Sequence, residues 1–463
     1  MTAPPTRPAA VSHGGRSHDD GSTAPGSPPP TPRYRMPRRG LAAVLGLLVA
    51  AACPPASAAG APLPGASTTG ISTAGGTASD ASAAGGFVSA GSAARLSTDA
   101  SAGQSDTPYL PRPTGRHPVG RTFLHLTDTS RPDPWVPDRN ARELMVSLWY
   151  PAEPSDGGRA PYMTPTESEL LLRDGGITGV PLDALSTTRT NAVSEARPAG
   201  RRHSLPLVVL SPGFTKPRAT LTTLAEELAS RGYVVAGVDH TYENVATTFP
   251  DGRVTTCAAC EVDHDKAFWQ KLVAGRAADV SFVLDELTGP RPQWTGTRLI
   301  DPRRIAMVGH SVGGASAGAA MVADSRIRAG IDIDGTTELP LPDSGLSRPF
   351  LFLGRQSVYT PGAGGPAAAW ERDWEHLTGW KRWLVVAGAE HASFTDVGLL
   401  AEQLGLDIGA TLPASRAARI TRRYAGAFLD LHLRNRPQPL LDQPSPRYPE
   451  VGFCSVATLT CGH

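Results

Sequence analysis

The chain has 463 residues, which is enough for one large domain or for two of ordinary size. Its 44 lysine and arginine residues nearly balance its 43 aspartate and glutamate residues, so the net charge is +1 and no nucleic-acid partner is expected. Glycine (49) and proline (44) are more frequent than in a chain that packs throughout, and they concentrate before residue 118. The N-terminal quarter is therefore considered separately from the rest.

Residues 1–58 are predicted to be an N-terminal extension that carries an export signal. Arg38 and Arg39 precede the apolar run from Leu41 to Ala52, which is too short to span a bilayer but has the length of a signal-peptide core. The sequence Ala56-Ser57-Ala58 fits a cleavage site. We therefore expect the protein to be secreted. Cys53 follows three alanines, so a lipid anchor on this cysteine is the alternative to free secretion.

Residues 59–107 consist mostly of alanine, glycine, serine and threonine. This composition contains too few large apolar side chains to form a core, so the segment is predicted to be a disordered, flexible linker. The folded domain is expected to occupy residues 108–463.

From residue 108 onward, short apolar runs rich in β-branched residues alternate with helical patterns. This alternation predicts a single α/β domain, with a mostly parallel sheet flanked by helices. The predicted strands are 144–150, 205–210, 233–238, 305–308, 327–333, 350–353 and 383–386. Helical periods are found at Leu221, Leu224 and Leu228, at Val280, Val283, Leu284 and Leu287, and at Ile420, Tyr424, Phe428 and Leu431.

A Gly-x-Ser-x-Gly motif, from Gly309 to Gly313, directly follows the predicted strand 305–308 and precedes a helical run of small residues. Between a strand and a helix, this motif is typical of a nucleophile elbow, in which the glycines permit a sharp turn that exposes the serine. Ser311 is therefore the predicted nucleophile, and an ordinary glycine-rich turn is the alternative.

A serine nucleophile needs a base and an acid that orients the base, and in such sheets the acid and then the base follow the serine along the chain. Asp334 lies at the carboxyl end of the predicted strand 327–333, and Asp332 on the same face is the second candidate. His391 lies in a loop just after the last predicted strand. The other histidines that follow Ser311 lie in helical patterns (His376 and His432) or at the terminus (His463). The sequence therefore predicts Asp334 as the acid and His391 as the base.

The oxyanion hole requires two backbone N–H donors, one of them from the residue after the nucleophile. Val312 is that residue, and Phe214 is the second predicted donor because it follows the predicted strand 205–210 in the sequence Ser211-Pro212-Gly213-Phe214. Gly213 would let the backbone approach closely, although an ordinary turn is the alternative interpretation.

Four cysteines remain outside the predicted signal: Cys257, Cys260, Cys454 and Cys461. An even number in an exported chain favours two disulfides, and a structural zinc site formed by all four is the alternative. Of the three possible connectivities we favour Cys257–Cys260 with Cys454–Cys461.

The chain resembles the platelet-activating factor acetylhydrolases of the plasma, lipoprotein-associated type from about residue 119 to residue 433. The matching segments are 145–151, 208–240, Gly309-His310-Ser311-Val312-Gly313-Gly314, Gly330-Ile331-Asp332-Ile333-Asp334 and 391–396. The resemblance implies an α/β-hydrolase fold, calcium-independent release of short or oxidised acyl groups from phospholipids, and catalytic roles for Ser311, Asp334 and His391. Ser211-Pro212 stands where this family often has Ser-His, and secreted bacterial relatives also resemble esterases, lipases and cutinases.

The predicted function is a secreted serine esterase that forms an acyl-enzyme, with short-acyl phospholipids as the favoured substrates. A lipase-like or cutinase-like polyesterase on neutral esters is the first alternative. A non-catalytic, surface-tethered binding protein on a hydrolase scaffold is the alternative from another class, and the intact Ser311, Asp334 and His391 argue against it. No metal or organic cofactor is expected, and the expected partners are an ester substrate and a transiently contacted lipid surface.

Overall fold

The structure is a computed structural model that describes residues 107–463. The predicted extension with its export signal, residues 1–58, and the predicted linker up to residue 106 lie outside the described residues. Within residues 107–463, no helix is long and apolar enough to cross a membrane.

An eleven-stranded sheet forms the centre of this domain, and a separate two-stranded hairpin, β6–β7, lies in the segment after β5. In chain order the strands are β1 (Val119–Asp128), β2 (Arg142–Pro151), β3 (Val193–Ser194), β4 (Leu205–Ser211), β5 (Val234–His240), β6 (Thr247–Thr248), β7 (Val254–Thr255), β8 (Ile300–His310), β9 (Ile327–Ile333), β10 (Phe350–Arg355), β11 (Lys381–Val386), β12 (Val451–Ser455) and β13 (Thr460–Gly462). The order across the large sheet is β13-β12-β11-β10-β9-β8-β4-β5-β2-β1-β3. The six strands from β11 to β5 are parallel. Antiparallel pairing adds β12 and β13 at one side and β2 and β1 at the other, where β3 then pairs in parallel with β1.

All seven predicted strands are present, which confirms the predicted mostly parallel sheet. Side chains alternate between two cores: Val208 and Leu210 of β4 belong to one apolar cluster, and Leu207 and Val209 belong to the other. Burial on both faces explains why these strands read as continuous apolar runs in the sequence.

The helices cover the two faces of the sheet. In chain order they are α1 (Pro165–Asp174), α2 (Thr222–Ser230), α3 (Lys266–Thr288), α4 (Val312–Ala323), α5 (Gln356–Tyr359), α6 (Pro366–His376), α7 (Asp396–Gln403) and α8 (Ala414–Arg434). The apolar faces of α2 and α8 pack in one core, and those of α3, α4 and α6 pack in the other. The predicted helical periods fall in α2, α3 and α8, because each period marks the face that a helix buries against the sheet.

Local sequence signals set the ends of several helices. Thr164 and Glu167 form a capping box at the start of α1, and the Asp265 carboxylate accepts a hydrogen bond from the Phe268 N–H at the start of α3. Asn435 directly follows α8 and adopts the left-handed conformation common at helix C-termini.

Candidate active site

Ser311 occupies a sharp turn between β8 and α4. Its backbone has φ 56° and ψ −132°, a region that residues other than glycine rarely adopt. A Cβ atom on Gly309 would lie 2.1 Å from the Gly313 backbone, and one on Gly313 would lie 2.1 Å from the Ser211 carbonyl oxygen. The turn therefore admits no side chain at these two positions, as the predicted nucleophile elbow requires.

Asp334 and His391 are brought together at the carboxyl edge of the sheet. Asp334 directly follows β9, and His391 begins a short 3₁₀ helix in the loop after β11. The His391 Nδ1 atom lies 2.5 Å from Asp334 Oδ2. The Asp334 side chain is fully buried, whereas a third of the His391 side chain is exposed. The pair therefore joins an interior carboxylate to an imidazole that reaches the surface.

Backbone contacts place Ser311 directly beside Asp334. The Ser311 N–H donates to the Ile333 carbonyl oxygen at 2.8 Å, and a Cβ atom on Gly335 would lie 2.1 Å from the Ser311 carbonyl oxygen. The residues on either side of Asp334 thus both touch the nucleophile turn. The structure brings the three sequence-predicted residues Ser311, Asp334 and His391 to one region of the sheet edge.

The electrostatic environment keeps Asp334 ionised. Burial alone would raise its pKa, but the hydrogen bond with His391 and the charges of His391 and Arg355 hold the pKa below its usual value. The Arg355 backbone N–H also donates to Asp334 Oδ1 at 2.8 Å. An ionised Asp334 accepts the Nδ1–H of His391, which leaves the lone pair of the imidazole on Nε2.

Asp332, the second candidate for the acid, has a different environment. Its Oδ1 accepts the Gly335 N–H at 2.9 Å, and its Oδ2 has no hydrogen-bond partner among the described residues. Burial raises the pKa of Asp332 well above its usual value. The hydrogen bond to His391 is made by Asp334 and not by Asp332.

His310 is a further residue of the site whose contact could not be inferred from the motif. Its Nε2 lies 2.8 Å from the His391 carbonyl oxygen, and the two imidazole centroids are 4.5 Å apart. Burial, together with the charge of His391, lowers the pKa of His310 to about 3. The neutral ring donates its Nε2–H to that carbonyl and so helps to fix the loop that carries His391.

The two predicted oxyanion donors lie beside the nucleophile. Val312 is the first residue of α4, and the loop through Phe214 passes so close that a Cβ atom on Gly213 would lie 3.2 Å from the Ser311 Cβ. Within residues 107–463, neither the Phe214 N–H nor the Val312 N–H donates to another protein group. Two backbone donors are therefore available next to Ser311.

An aromatic cluster, formed by Phe214, His264, Phe268 and Trp269, adjoins this loop. The Phe214 ring centroid is 5.2 Å from that of His264, 5.6 Å from Phe268 and 5.4 Å from Trp269. Val312 belongs to the same apolar cluster, and His264 is exposed. The aromatic cluster thus borders the predicted oxyanion hole, and sequence reasoning missed it because its residues come from separate loops and α3.

Both predicted disulfide pairings are present in the structure. Cys257 bonds to Cys260 next to the aromatic cluster, and Cys454 bonds to Cys461 across β12 and β13. The alternative of a zinc site formed by the four cysteines is therefore excluded.

A parallel sheet whose serine turn joins a strand to a helix, with an acid and a histidine on later loops, is the architecture of the α/β-hydrolases. Comparison with known proteins agrees. The family model described as platelet-activating factor acetylhydrolase, isoform II, matches residues 102–275. A ferulic acid esterase from Streptomyces cinnamoneus, a solved structure, shares 45% sequence identity with a TM-score of 0.67, and the match covers 75% of this chain and 99% of that one.

Two curated relatives are also named as ester hydrolases. A probable 1-alkyl-2-acetylglycerophosphocholine esterase of Arthroderma benhamiae is 28% identical over 378 residues, which cover 74% of this chain and 93% of that protein. A platelet-activating factor acetylhydrolase of Gallus gallus is 24% identical over 397 residues, covering 73% of this chain and 87% of that protein. The chain belongs to the platelet-activating factor acetylhydrolase family of α/β-hydrolases, and it is a carboxylic ester hydrolase. The alternative of a non-catalytic binding protein is thereby set aside.

Proposed function

We propose that this protein is a serine esterase that works through an acyl-enzyme on Ser311. The observation that carries the proposal is the 2.5 Å hydrogen bond between Asp334 and His391, at the sheet edge where the strained Ser311 turn also lies. The exposed part of His391 is its reactive end, because Nδ1 is held by Asp334 and Nε2 makes no hydrogen bond to any residue of the described chain.

In the proposed mechanism, His391 Nε2 takes the proton from Ser311 Oγ as that oxygen attacks the ester carbonyl carbon. The carbonyl oxygen gains negative charge and accepts hydrogen bonds from the Phe214 and Val312 N–H groups. The protonated His391 then donates its proton to the departing alkoxide, which leaves the acyl group on Ser311. Water, deprotonated by His391, attacks the acyl-enzyme and releases the acid, while the ionised Asp334 stabilises the imidazolium at each stage.

For the substrate, we propose short-acyl phospholipids. The family match and the named activities of the fungal and chicken relatives support this choice. Aryl-acyl esters are a second candidate, because an aromatic cluster borders the proposed oxyanion hole and the 45% identical solved relative is a ferulic acid esterase. Neutral esters and polyesters are the remaining alternative.

We also propose that the mature protein is exported, with residues 1–58 as extension and signal, 59–107 as linker and 108–463 as the hydrolase domain. The two disulfides support this, since such bonds persist mainly in oxidising compartments. The intact mass of the protein in the culture medium tests it, because cleavage after Ala58 and a lipid on Cys53 give different masses. Retention of the whole chain in the cytoplasm would contradict export.

The experiment that tests the proposed function compares purified wild-type protein with Ser311→Ala and His391→Ala. Each is assayed with an sn-2 acetyl phospholipid, methyl ferulate, p-nitrophenyl acetate and p-nitrophenyl palmitate. We expect both variants to lose hydrolysis of every ester that the wild type accepts. His376→Ala is the matched control, because His376 is a partly exposed histidine at the end of α6. Full activity of Ser311→Ala would overturn the mechanism, and the preferred ester distinguishes the substrate classes.

A further inference from the structure

A buried ionic network lies directly beneath the loop that carries Phe214. Its seven polar side chains are each 2% exposed or less. They are Asp133, Arg142, Ser211, His240, Glu243, Arg276 and Asp279. This buried network comes from the ends of β2, β4 and β5, the loops beside them and one face of α3.

The network contains three carboxylates and two arginines, and the partly exposed Arg131 adds a positive charge beside Asp279, so the histidine faces no unpaired carboxylate. Asp279 contacts Arg142 at 2.8 Å and the partly exposed Arg131 at 2.5 Å, and Glu243 contacts Arg276 at 2.7 Å. Burial alone would raise the pKa of Asp279, but the charge of Arg142 and the hydrogen bonds from His240 and Arg142 hold it well below its usual range. Burial, reinforced by the charge of Arg276, lowers the pKa of His240.

These charge states fix the direction of each hydrogen bond. The ionised Asp279 accepts the Nδ1–H of the neutral His240 at 2.7 Å, so the imidazole Nε2 carries a lone pair. Ser211 Oγ–H therefore donates to His240 Nε2 at 2.9 Å, and Ser211 Oγ accepts from Arg276 Nη1 at 3.2 Å. The Arg276 guanidinium also donates to the Pro212 carbonyl oxygen. Ser211 is thus held through its side chain, and Pro212 is held through its backbone carbonyl.

The opposite side of the same loop touches the nucleophile turn. A Cβ atom on Gly313 would lie 2.1 Å from the Ser211 carbonyl oxygen, and one on Gly213 would lie 3.2 Å from the Ser311 Cβ. After Phe214, the Thr215 N–H donates to the Glu243 carbonyl oxygen at 2.9 Å, so the loop is joined again to a member of the network. The loop therefore has fixed contacts before and after Phe214, and the network supplies them.

We propose that the buried network is a positioning device for the oxyanion hole: Arg276, Ser211 and His240 hold the loop whose Phe214 N–H stabilises the developing negative charge. Ser211, His240 and Arg276 are positioning residues, because their contacts reach the reacting atoms only through the Phe214 amide. The inference rests on the proposed function, since it needs Phe214 to act as an oxyanion donor. An amide displaced by a fraction of an ångström stabilises the transition state less, although the bound substrate is hardly affected.

The test uses the full chain and the variants Ser211→Ala and Arg276→Lys, assayed with p-nitrophenyl acetate and with a trifluoromethyl ketone that forms a tetrahedral adduct with serine. We expect Ser211→Ala to lower kcat by about tenfold to a hundredfold, with KM changed by less than about threefold. The inhibition constant of the ketone should rise by about the same factor as kcat falls. Arg276→Lys should act in the same direction and more strongly, because one ammonium group cannot reproduce the geometry in which the guanidinium donates to Glu243, Ser211 and the Pro212 carbonyl.

Tyr233→Phe is the matched control. It removes a buried hydroxyl that donates to Asp430 at 2.9 Å on the other face of the sheet, and it has no contact with the Phe214 loop. We expect it to lower the Tm without changing kcat. The positioning role would be overturned if Ser211→Ala and Arg276→Lys lower the Tm, as Tyr233→Phe does, but leave kcat and the inhibition constant of the ketone unchanged. An active Ser311→Ala variant would instead overturn the proposed function, so the two failures are distinguishable.

Discussion

Ser311, His391 and Asp334 form one serine–histidine–aspartate arrangement at the surface, and Ser211, His240 and Asp279 form another in the interior. In both, an aspartate binds the histidine Nδ1, at 2.5 Å in the first and 2.7 Å in the second. His391 is a third exposed, whereas His240 is 1% exposed and its Nε2 is already bound by Ser211.

The difference between the two arrangements shows that residue type alone does not make a catalytic group. Ser311 adopts a strained turn with φ 56° beside two unpaired N–H donors, whereas Ser211 is the last residue of a strand and its hydroxyl is enclosed by His240 and Arg276. Only the surface arrangement has a histidine side chain that solvent reaches. The interior arrangement uses the same hydrogen-bonding chemistry to hold backbone in place.

Replacing the nucleophile should cause the largest loss of activity and so separate the two arrangements most clearly. We expect Ser311→Ala to lower kcat for p-nitrophenyl acetate by about 10⁴-fold or more, because only the oxyanion hole and substrate binding would remain. Ser211→Ala, in the interior arrangement, should lose no more than about a hundredfold. Steady-state kinetics on folded, titrated protein measures both, and equal losses would contradict the division between a catalytic and a positioning serine.

Replacing each aspartate by asparagine should affect activity in the surface arrangement and stability in the interior arrangement. Asp334→Asn should lower kcat by about 10³- to 10⁴-fold, because the amide no longer holds His391 in the reactive tautomer. Asp279→Asn should instead lower the free energy of unfolding by about 3–5 kcal/mol, since Arg142 loses a buried charged partner. Urea unfolding and kinetics on each variant measure the two effects. The reverse pattern, with the larger kinetic loss in Asp279→Asn, would contradict the assignment.

The pH dependence of stability distinguishes buried from exposed histidines. The pKa of His310 is lowered to about 3 by burial and the charge of His391, whereas an unfolded histidine has a pKa of 6.5. Below pH 6.5 the unfolded chain binds more protons, so stability falls as the pH decreases from about 6.5 towards 3. We expect His310 to contribute about 2 kcal/mol of this loss between pH 7 and pH 5, and His240 acts in the same direction.

His310→Gln should therefore reduce the pH dependence measured by urea unfolding at pH 7 and pH 5. His376→Gln is the control, because that side chain is partly exposed at the end of α6. An unchanged pH dependence in His310→Gln would show that this histidine is not kept neutral by the fold.

The smallest expected effect concerns the aromatic cluster, which borders the surface arrangement. Trp269→Ala removes a ring 5.4 Å from Phe214, and we expect KM for methyl ferulate to rise by about three- to tenfold with kcat little changed. Trp380→Ala is the matched control, because this partly buried tryptophan packs on Phe428 in the core beside α8. Equal effects of the two variants on KM would contradict a role for the aromatic cluster in substrate binding.

Much of the fold was predictable because parallel strands buried on both faces leave continuous apolar runs, as in β4 and β9. Strand β1 was missed because its side chains alternate between buried and exposed positions, with Phe123 52% exposed, so no apolar run marks it. The short strands β12 and β13 were missed because pairing and the Cys454–Cys461 bond define them more than composition does.

The candidate site also has features that the sequence predicts and features that it does not. Ser311, Asp334 and His391 could be predicted because each lies within a few residues of the end of a strand, and strand ends meet at one edge of the sheet. The contacts of Arg276 with Ser211 and Pro212 could not, because they join residues more than sixty positions apart through side chains on α3. A buried arginine on a helix face has no sequence signal that distinguishes it from an exposed one.

The central claim, that Ser311 is the nucleophile and Ser211 is not, is tested most directly by covalent labelling. A fluorophosphonate reacts with an activated serine, and peptide mass spectrometry locates the adduct. We predict one adduct per chain, on the peptide that contains Ser311, and none when Asp334→Asn or Ser311→Ala protein is treated for the same time. An adduct on Ser211, or an active enzyme that is labelled at neither serine, would contradict the account.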